Sequence, residues 1–257
     1  FNLILRKGSA LALQSLKWNP ATPNEQALYL IALGNFDDIA IHEGSVAPLL
    51  NALKMDPLVI QIGAAQALER IQTRMQDPRI IGPLLVALKS SESNLRAAAA
   101  RALGNSTDER RIAPLLKAFK DSVASVRVAA AEAIGKTGDA KYLKNFSPLL
   151  KDESFEVRVV AITELARIKA PETLTLITPA LRDSDCDVRK RAVESLGKLR
   201  DPRSVGALIT TLIDPESVVR HATANVLQII NCDWRLSKEA KEAVPHLEAG
   251  LNDPEYW

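Results

Sequence analysis

The chain has 257 residues, 47% of them hydrophobic, 4% aromatic and 25% charged, which excludes intrinsic disorder and leaves ample aliphatic surface to bury. Its 33 lysines and arginines nearly balance 31 aspartates and glutamates, so no overall field steers nucleic acid or an anionic membrane. Two cysteines, Cys186 and Cys232, are too few for a disulfide framework or a zinc cluster and fit a reducing, cytoplasmic compartment, and no apolar run approaches the roughly 20 residues of a membrane span.

Residues 1–44 read as irregular N-terminal helices. The stretch FNLILRKGSALALQSLKW has the pattern of the second helix of a hairpin whose first helix is missing, which points to a trimmed first unit. Trp18-Asn19-Pro20 and Thr22-Pro23-Asn24 are turn chemistry, and the following Ala- and Leu-rich residues predict a helix over 25–33. Trp18, Tyr29 and Phe36 fall in this region, as a wedge holding an irregular helix to the regular ones or as a ligand pocket.

From 45 to 230 the chain repeats. Arg96, Arg127, Arg158, Arg189 and Arg220 follow one another at steps of 31 residues, each after a Leu or Val. Asp121, Asp152, Asp183 and Asp214 keep the same step, each six residues before its Arg, with Ser90 in the first slot. A third column holds Asp77, Asp108, Asp139 and Asp201, broken at Ala170. An earlier unit aligns after a 35-residue step and places Gln61 in the Arg slot.

Each unit predicts two helices. Ile112, Leu115, Leu116 and Phe119 make one apolar stripe, and Val126, Ala129, Ala130, Ala133 and Ile134 make the next. Gly135 or Gly138 supplies a stop, and Asp139 an N-cap for the following unit. Pro83, Pro114, Pro148 and Pro179 fall in first helices, where they should kink or break them. Such a hairpin cannot hide its stripe alone, but stacked copies bury it continuously, and the alanines of the second helices permit close approach. Residues 231–257 leave the pattern and read as a capping helix and tail, with Ser237 as N-cap. Trp234, Tyr256 and Trp257 belong either to that cap or to a surface docking on another domain.

An Asp followed six residues later by Arg in a Val-Arg-Ala context, repeated in helical pairs, resembles the HEAT-repeat family, and the short period is similar to the prokaryotic class first associated with phycobilisome (bilin) lyase subunits. The resemblance covers about residues 45–230. It implies an all-α fold, a right-handed α-α superhelix or HEAT solenoid of the armadillo type. It also implies a structural ladder of Asp121/Arg127, Asp152/Arg158, Asp183/Arg189 and Asp214/Arg220, in which the Asp caps the second helix and the Arg serves its turn and an adjacent unit's carboxylate. Arg191 and Glu164 depart from the small residues found at their positions elsewhere, as an inter-unit salt bridge or a functional spot.

Catalytic patterns are sparse, and no cofactor, metal or catalytic residue is expected. Gly135-Lys136-Thr137 imitates the end of a P-loop, but Ala130 stands where the earlier glycine is required and no strand precedes it. His42, His221 and His246 lack metal-ligand spacing, and His42-Glu43 is a single dipeptide where a HEAT-type di-iron hydroxylase needs several. The leading expectation is a non-enzymatic scaffold whose partner is another protein or another domain of the same polypeptide. The partner would bind the concave face that such a solenoid presents on the exposed side of its second helices, at Arg101, Val128, Glu132, Val159, Thr163, Lys190, Glu194, His221 and Asn225. A bilin lyase or lyase subunit acting on phycobiliproteins is the alternative implied by the repeat type. A HEAT-like DNA-binding protein is disfavoured by the missing basic stripe.

Overall fold

A computed structural model describes residues 2–39, 43–55, 57–231 and 233–251. Every regular element among them is helical. The helices form two compact units, Phe1–Thr137 and Gly138–Trp257.

The first unit opens with α1 (Asn2–Ser15), α2 (Pro23–Leu33), α3 (Phe36–Ile39) and α4 (Val46–Ala52). Helix α2 starts at a reciprocal cap: the Thr22 hydroxyl accepts the Glu25 N–H at 3.2 Å, and the Glu25 carboxylate accepts the Ala21 N–H at 2.9 Å. It stops at Gly34, whose φ of +74° is left-handed. The three early aromatics do not form one cluster. Trp18 meets Tyr29 edge to face at 5.5 Å, whereas Phe36 lies beside Gly63.

Long second helices then alternate with short first ones: α5 (Leu58–Arg74), α6 (Ile81–Ala87), α7 (Ser93–Gly104), α8 (Ile112–Ala118) and α9 (Ala124–Gly135). The second helices α5, α7 and α9 pack in sequence, α7 lying against both of the others. Their contact faces are small: Ala64, Ala98, Ala99, Ala100, Ala129 and Ala133 are wholly buried. At Gly104 helices α7 and α9 approach closely: a methyl group there would stand 2.9 Å from the Cα and Cβ of Ala133. Gly135 is the last residue of α9 rather than its stop, and Gly138, at φ +65°, turns the chain beyond it.

Pro83 and Pro114 do not kink their helices. Each is the third residue of its α segment, where the backbone N–H has no intrahelical acceptor to lose, and a 3₁₀ turn leads in.

In the second unit the break does occur. The first helix of its opening hairpin is entirely 3₁₀, Ala140–Phe146 and Leu149–Lys151, with Pro148 between them. The elements α10 (Phe155–Ile168), α11 (Thr173–Ile177), α12 (Cys186–Leu199), α13 (Val205–Ile209), α14 (Ser217–Ile230) and α15 (Lys238–Leu251) follow. Helix α11 passes into 3₁₀ at Thr178, beside Pro179, and α13 makes the same change at Thr210 without a proline. Helix α12 packs between α10 and α14, and a Cβ on Gly197 would meet Val226 at 2.8 Å.

Helices α10 and α12 end in left-handed residues other than glycine, Lys169 (φ +54°) and Arg200 (φ +53°). Helix α15 packs on α13 and on the 3₁₀ turn after it, and its start is capped by Ser237, whose hydroxyl accepts the Ala240 N–H at 3.1 Å. Trp234 is buried with the Arg235 guanidinium 4.9 Å over its ring, so it is core rather than docking surface. Tyr256 and Trp257 lie outside the described residues.

Candidate functional site

The repeating arginines occupy a built electrostatic site. In Arg96, Arg158 and Arg189 the Nε and Nη2 edge forks onto the carboxylate of Asp121, Asp183 and Asp214, respectively, 25 residues further on, at 2.7–2.9 Å. The Nη1 of each returns to its own turn, donating to the carbonyl of Ser90, Asp152 or Asp183 at 2.8–3.0 Å. Arg127 and Arg220 make the same return, to the Asp121 and Asp214 carbonyls, both at 2.7 Å. One guanidinium thus ties its own hairpin turn to the carboxylate of the next. The bidentate fork that this needs is specific to Arg; lysine has no such planar edge.

The aspartates act differently from simple helix caps. The Oδ1 of Asp121, Asp152, Asp183 and Asp214 accepts the N–H two residues on, at 2.9–3.0 Å. Those acceptors fold the turn, and the N-cap positions themselves are Val123, Ser154, Asp185 and Glu216. Only Asp185 of the four bonds the first turn through its side chain. Ser90 repeats the turn-folding bond, its hydroxyl accepting the Glu92 N–H at 3.2 Å. Arg96 hydrogen bonds hold the Asp121 carboxyl below the usual carboxylate range, outweighing burial, which pushes the other way. The same bonds raise the arginines.

The third aspartate column is a second device. Asp77, Asp108, Asp139 and Asp201 each accept the N–H two residues on, at 2.9–3.0 Å, and pair with that residue's own cation, Arg79, Arg110, Lys141 and Arg203, at 2.5–2.8 Å. All four carboxyls are pulled below their ordinary value, first by the side-chain bond to that cation. Where Ala170 interrupts the column, α11 begins without a side-chain cap. The basic partner at the second position after each Asp was visible in the sequence and missed. So was Arg111, a buried arginine whose Nη1 lies 3.4 Å from the carbonyls of Leu103, Gly104 and Ala133, where cations suit helix ends.

The P-loop imitation is structural: Lys136 donates to Asn105 Oδ1 at 2.8 Å and Thr137 to the Ile134 carbonyl at 2.7 Å. Arg191 pairs with Glu194 and Glu164 with Arg167, each at 3.3 Å on its own helix. His42 and Cys232 lie outside the described residues, as does the His246 side chain. Cys186 is a free, half-buried thiol. Among the described residues no group of three or more His, Cys, Asp or Glu could hold a metal ion, and no helix is long and apolar enough to cross a membrane.

The nine expected contact residues all lie on second helices. In the first unit Arg101 of α7 and Val128 and Glu132 of α9 are half-buried; in the second, so are Val159 and Thr163 of α10 and Lys190 and Glu194 of α12. His221 and Asn225 of α14 are exposed. Several polar groups are already engaged on their own helix. Thr163 donates to the Val159 carbonyl at 2.8 Å, Lys190 sits 4.0 Å from Glu194, and His221 Nδ1 is 2.7 Å from the Ser217 carbonyl. In the second unit these positions therefore offer aliphatic surface beside a compensated Lys190–Glu194 pair.

Helical hairpins packed through alanine and glycine faces, with arginine forks joining successive turns, define an all-α repeat protein. The HEAT-repeat profile matches residues 46–135, 112–185 and 175–257, and the chain belongs to the HEAT-repeat family.

Three solved structures share the fold. YibA of Escherichia coli is 21% identical, with a TM-score of 0.56 over 86% of this chain and 82% of its own. An archaeal HEAT-like repeats protein from Thermococcus onnurineus NA1 is 15% identical, with a TM-score of 0.53 over 82% and 98%. A chain from the CpcE and CpcF complex of phycocyanin lyase from Nostoc sp. PCC7120 is 17% identical, with a TM-score of 0.50 over 88% and 94%. No curated protein matches the chain in sequence.

Proposed function

We propose that this HEAT-repeat chain is a non-enzymatic scaffold that binds another protein, or another domain of its own polypeptide, on the exposed side of its second helices. The contact residues are Arg101, Val128 and Glu132 in the first unit, and Val159, Thr163, Lys190, Glu194, His221 and Asn225 in the second. The observation that carries this reading is that these positions are half-exposed or exposed on second helices whose inner faces are buried. They differ in chemistry between repeats while the rungs beside them repeat. A surface of mixed charge and isolated aliphatics suits a specific protein partner better than a polyanion. The bilin-lyase alternative draws on fold likeness alone and assigns no residue of this chain a chemical step.

The test is affinity capture by the wild type and by Lys190→Glu with His221→Glu, after equal thermal melts. Proteins held by the first and lost by the second support the surface. The same set retained by both moves the binding site elsewhere.

A further inference from the structure

A second surface in the first unit has different chemistry. Between the ends of α6 and α8 lies a cleft of about 710 Å³. Leu88, Pro114 and Ala118 give it aliphatic walls, and Lys89, Lys117 and Lys120 stand around it. All three lysines are exposed, and none is in an ion pair among the described residues. Several neighbouring cations are already neutralised: Arg79 and Arg110 hold their own aspartates, and Arg96, which lines the cleft together with Asp121, has four of its five donors on Asp121, Ser90 and Ser91.

Part of this has a local cause. Lys117 lies in the last turn of α8 and Lys89 and Lys120 follow helix ends, where positive charge is favoured. That cause acts on each lysine singly and does not explain their convergence on one apolar recess. The register recurs in the second unit as well, where Lys151 and Arg182 precede their ladder aspartates and are exposed.

We propose that this cleft binds an acidic peptide segment, with aliphatic side chains seated on Leu88, Pro114 and Ala118 and carboxylates met by Lys89, Lys117 and Lys120. A peptide fits better than a nucleic acid. The walls carry no aromatic ring on which a base could stack, and the one guanidinium is already committed. Three point charges also make a short footprint rather than a track along phosphates. The surface is distinct from the second-helix line, so the two readings stand or fall separately.

Fluorescence anisotropy with a short labelled peptide alternating Asp-Glu pairs with leucine tests it, beside an Asn-Gln control peptide and a single-stranded DNA oligomer of equal charge. The acidic peptide should saturate on the wild type and bind about tenfold more weakly to Lys89→Glu, Lys117→Glu, Lys120→Glu, as three exposed ion pairs would set. The Lys→Gln triple variant should fall between, and Lys190→Glu with His221→Glu should bind as the wild type does. Undiminished binding to both triple variants, no saturable binding by the wild type, equal affinity for the neutral peptide, or tighter binding of the DNA overturns the proposal.

Discussion

Replacing Arg158 with Ala removes a guanidinium that is only 12% exposed and faces an Asp183 carboxylate that is 13% exposed. Two charge-assisted bonds to Asp183 go, at 2.8 and 2.7 Å, together with donors to the Asp152 carbonyl at 2.8 Å and the Glu153 carbonyl at 3.3 Å. Among the described residues the Asp183 carboxylate keeps one hydrogen bond, from the Asp185 N–H at 2.9 Å. A carboxylate left that far from water without its cation costs about 3–5 kcal/mol. For a slope of about 2 kcal/mol per molar urea, the unfolding midpoint should fall by roughly 1.5–2.5 M. Arg101→Ala is the matched control: Arg101 is on α7 of the first unit, half-buried and in no ion pair among the described residues, and its loss should cost about 0–1 kcal/mol. Arg158→Lys should lie between, keeping the charge and losing the fork. Hydrogen exchange should accelerate first in α10 and α12, because each hairpin is stabilised through its neighbours. Equal and small losses for Arg158→Ala and Arg101→Ala would refute the reasoning, by placing the rung effectively in solvent.

Three further outcomes follow from the same geometry. Gly104→Ala should destabilise by about 1–3 kcal/mol, since its methyl group meets the Ala133 backbone at 2.9 Å; Gly82→Ala, with nothing within 4 Å, should be neutral in the same thermal melts. Arg200→Gly should stabilise by about 1 kcal/mol by relieving a left-handed conformation at φ +53°, read as a higher urea midpoint. Asp121 is depressed in the folded chain by its bonds to Arg96. Its contribution should therefore be complete above the unfolded carboxylate value of about 3.9 and be lost as pH falls through the lower folded one. The stability gap between wild type and Asp121→Asn should stay flat from neutral pH down to the unfolded value and close below it. A gap independent of pH would detach the carboxylate charge from the rung.

How much was legible divides along a physical line. The amino-acid sequence by itself determined the helical hairpins, their 31-residue period and the duty of each Arg to its own turn, because periodicity and short-range spacing are properties of one stretch of chain. It also announced the close packing, through alanines that leave adjacent helices room to approach. Tertiary structure alone decided what those spacings meet. It set whether a proline sits in a first turn, as Pro114 does, or at a break, as Pro148 does, since that depends on where the preceding 3₁₀ turn lets the helix start. It made Asp121 the partner of Arg96 from 25 residues away, and it gathered Lys89, Lys117 and Lys120 around one recess. Such partnerships are made across helix faces, and the distance between faces is fixed only when small residues such as Gly104 and Ala133 come into contact.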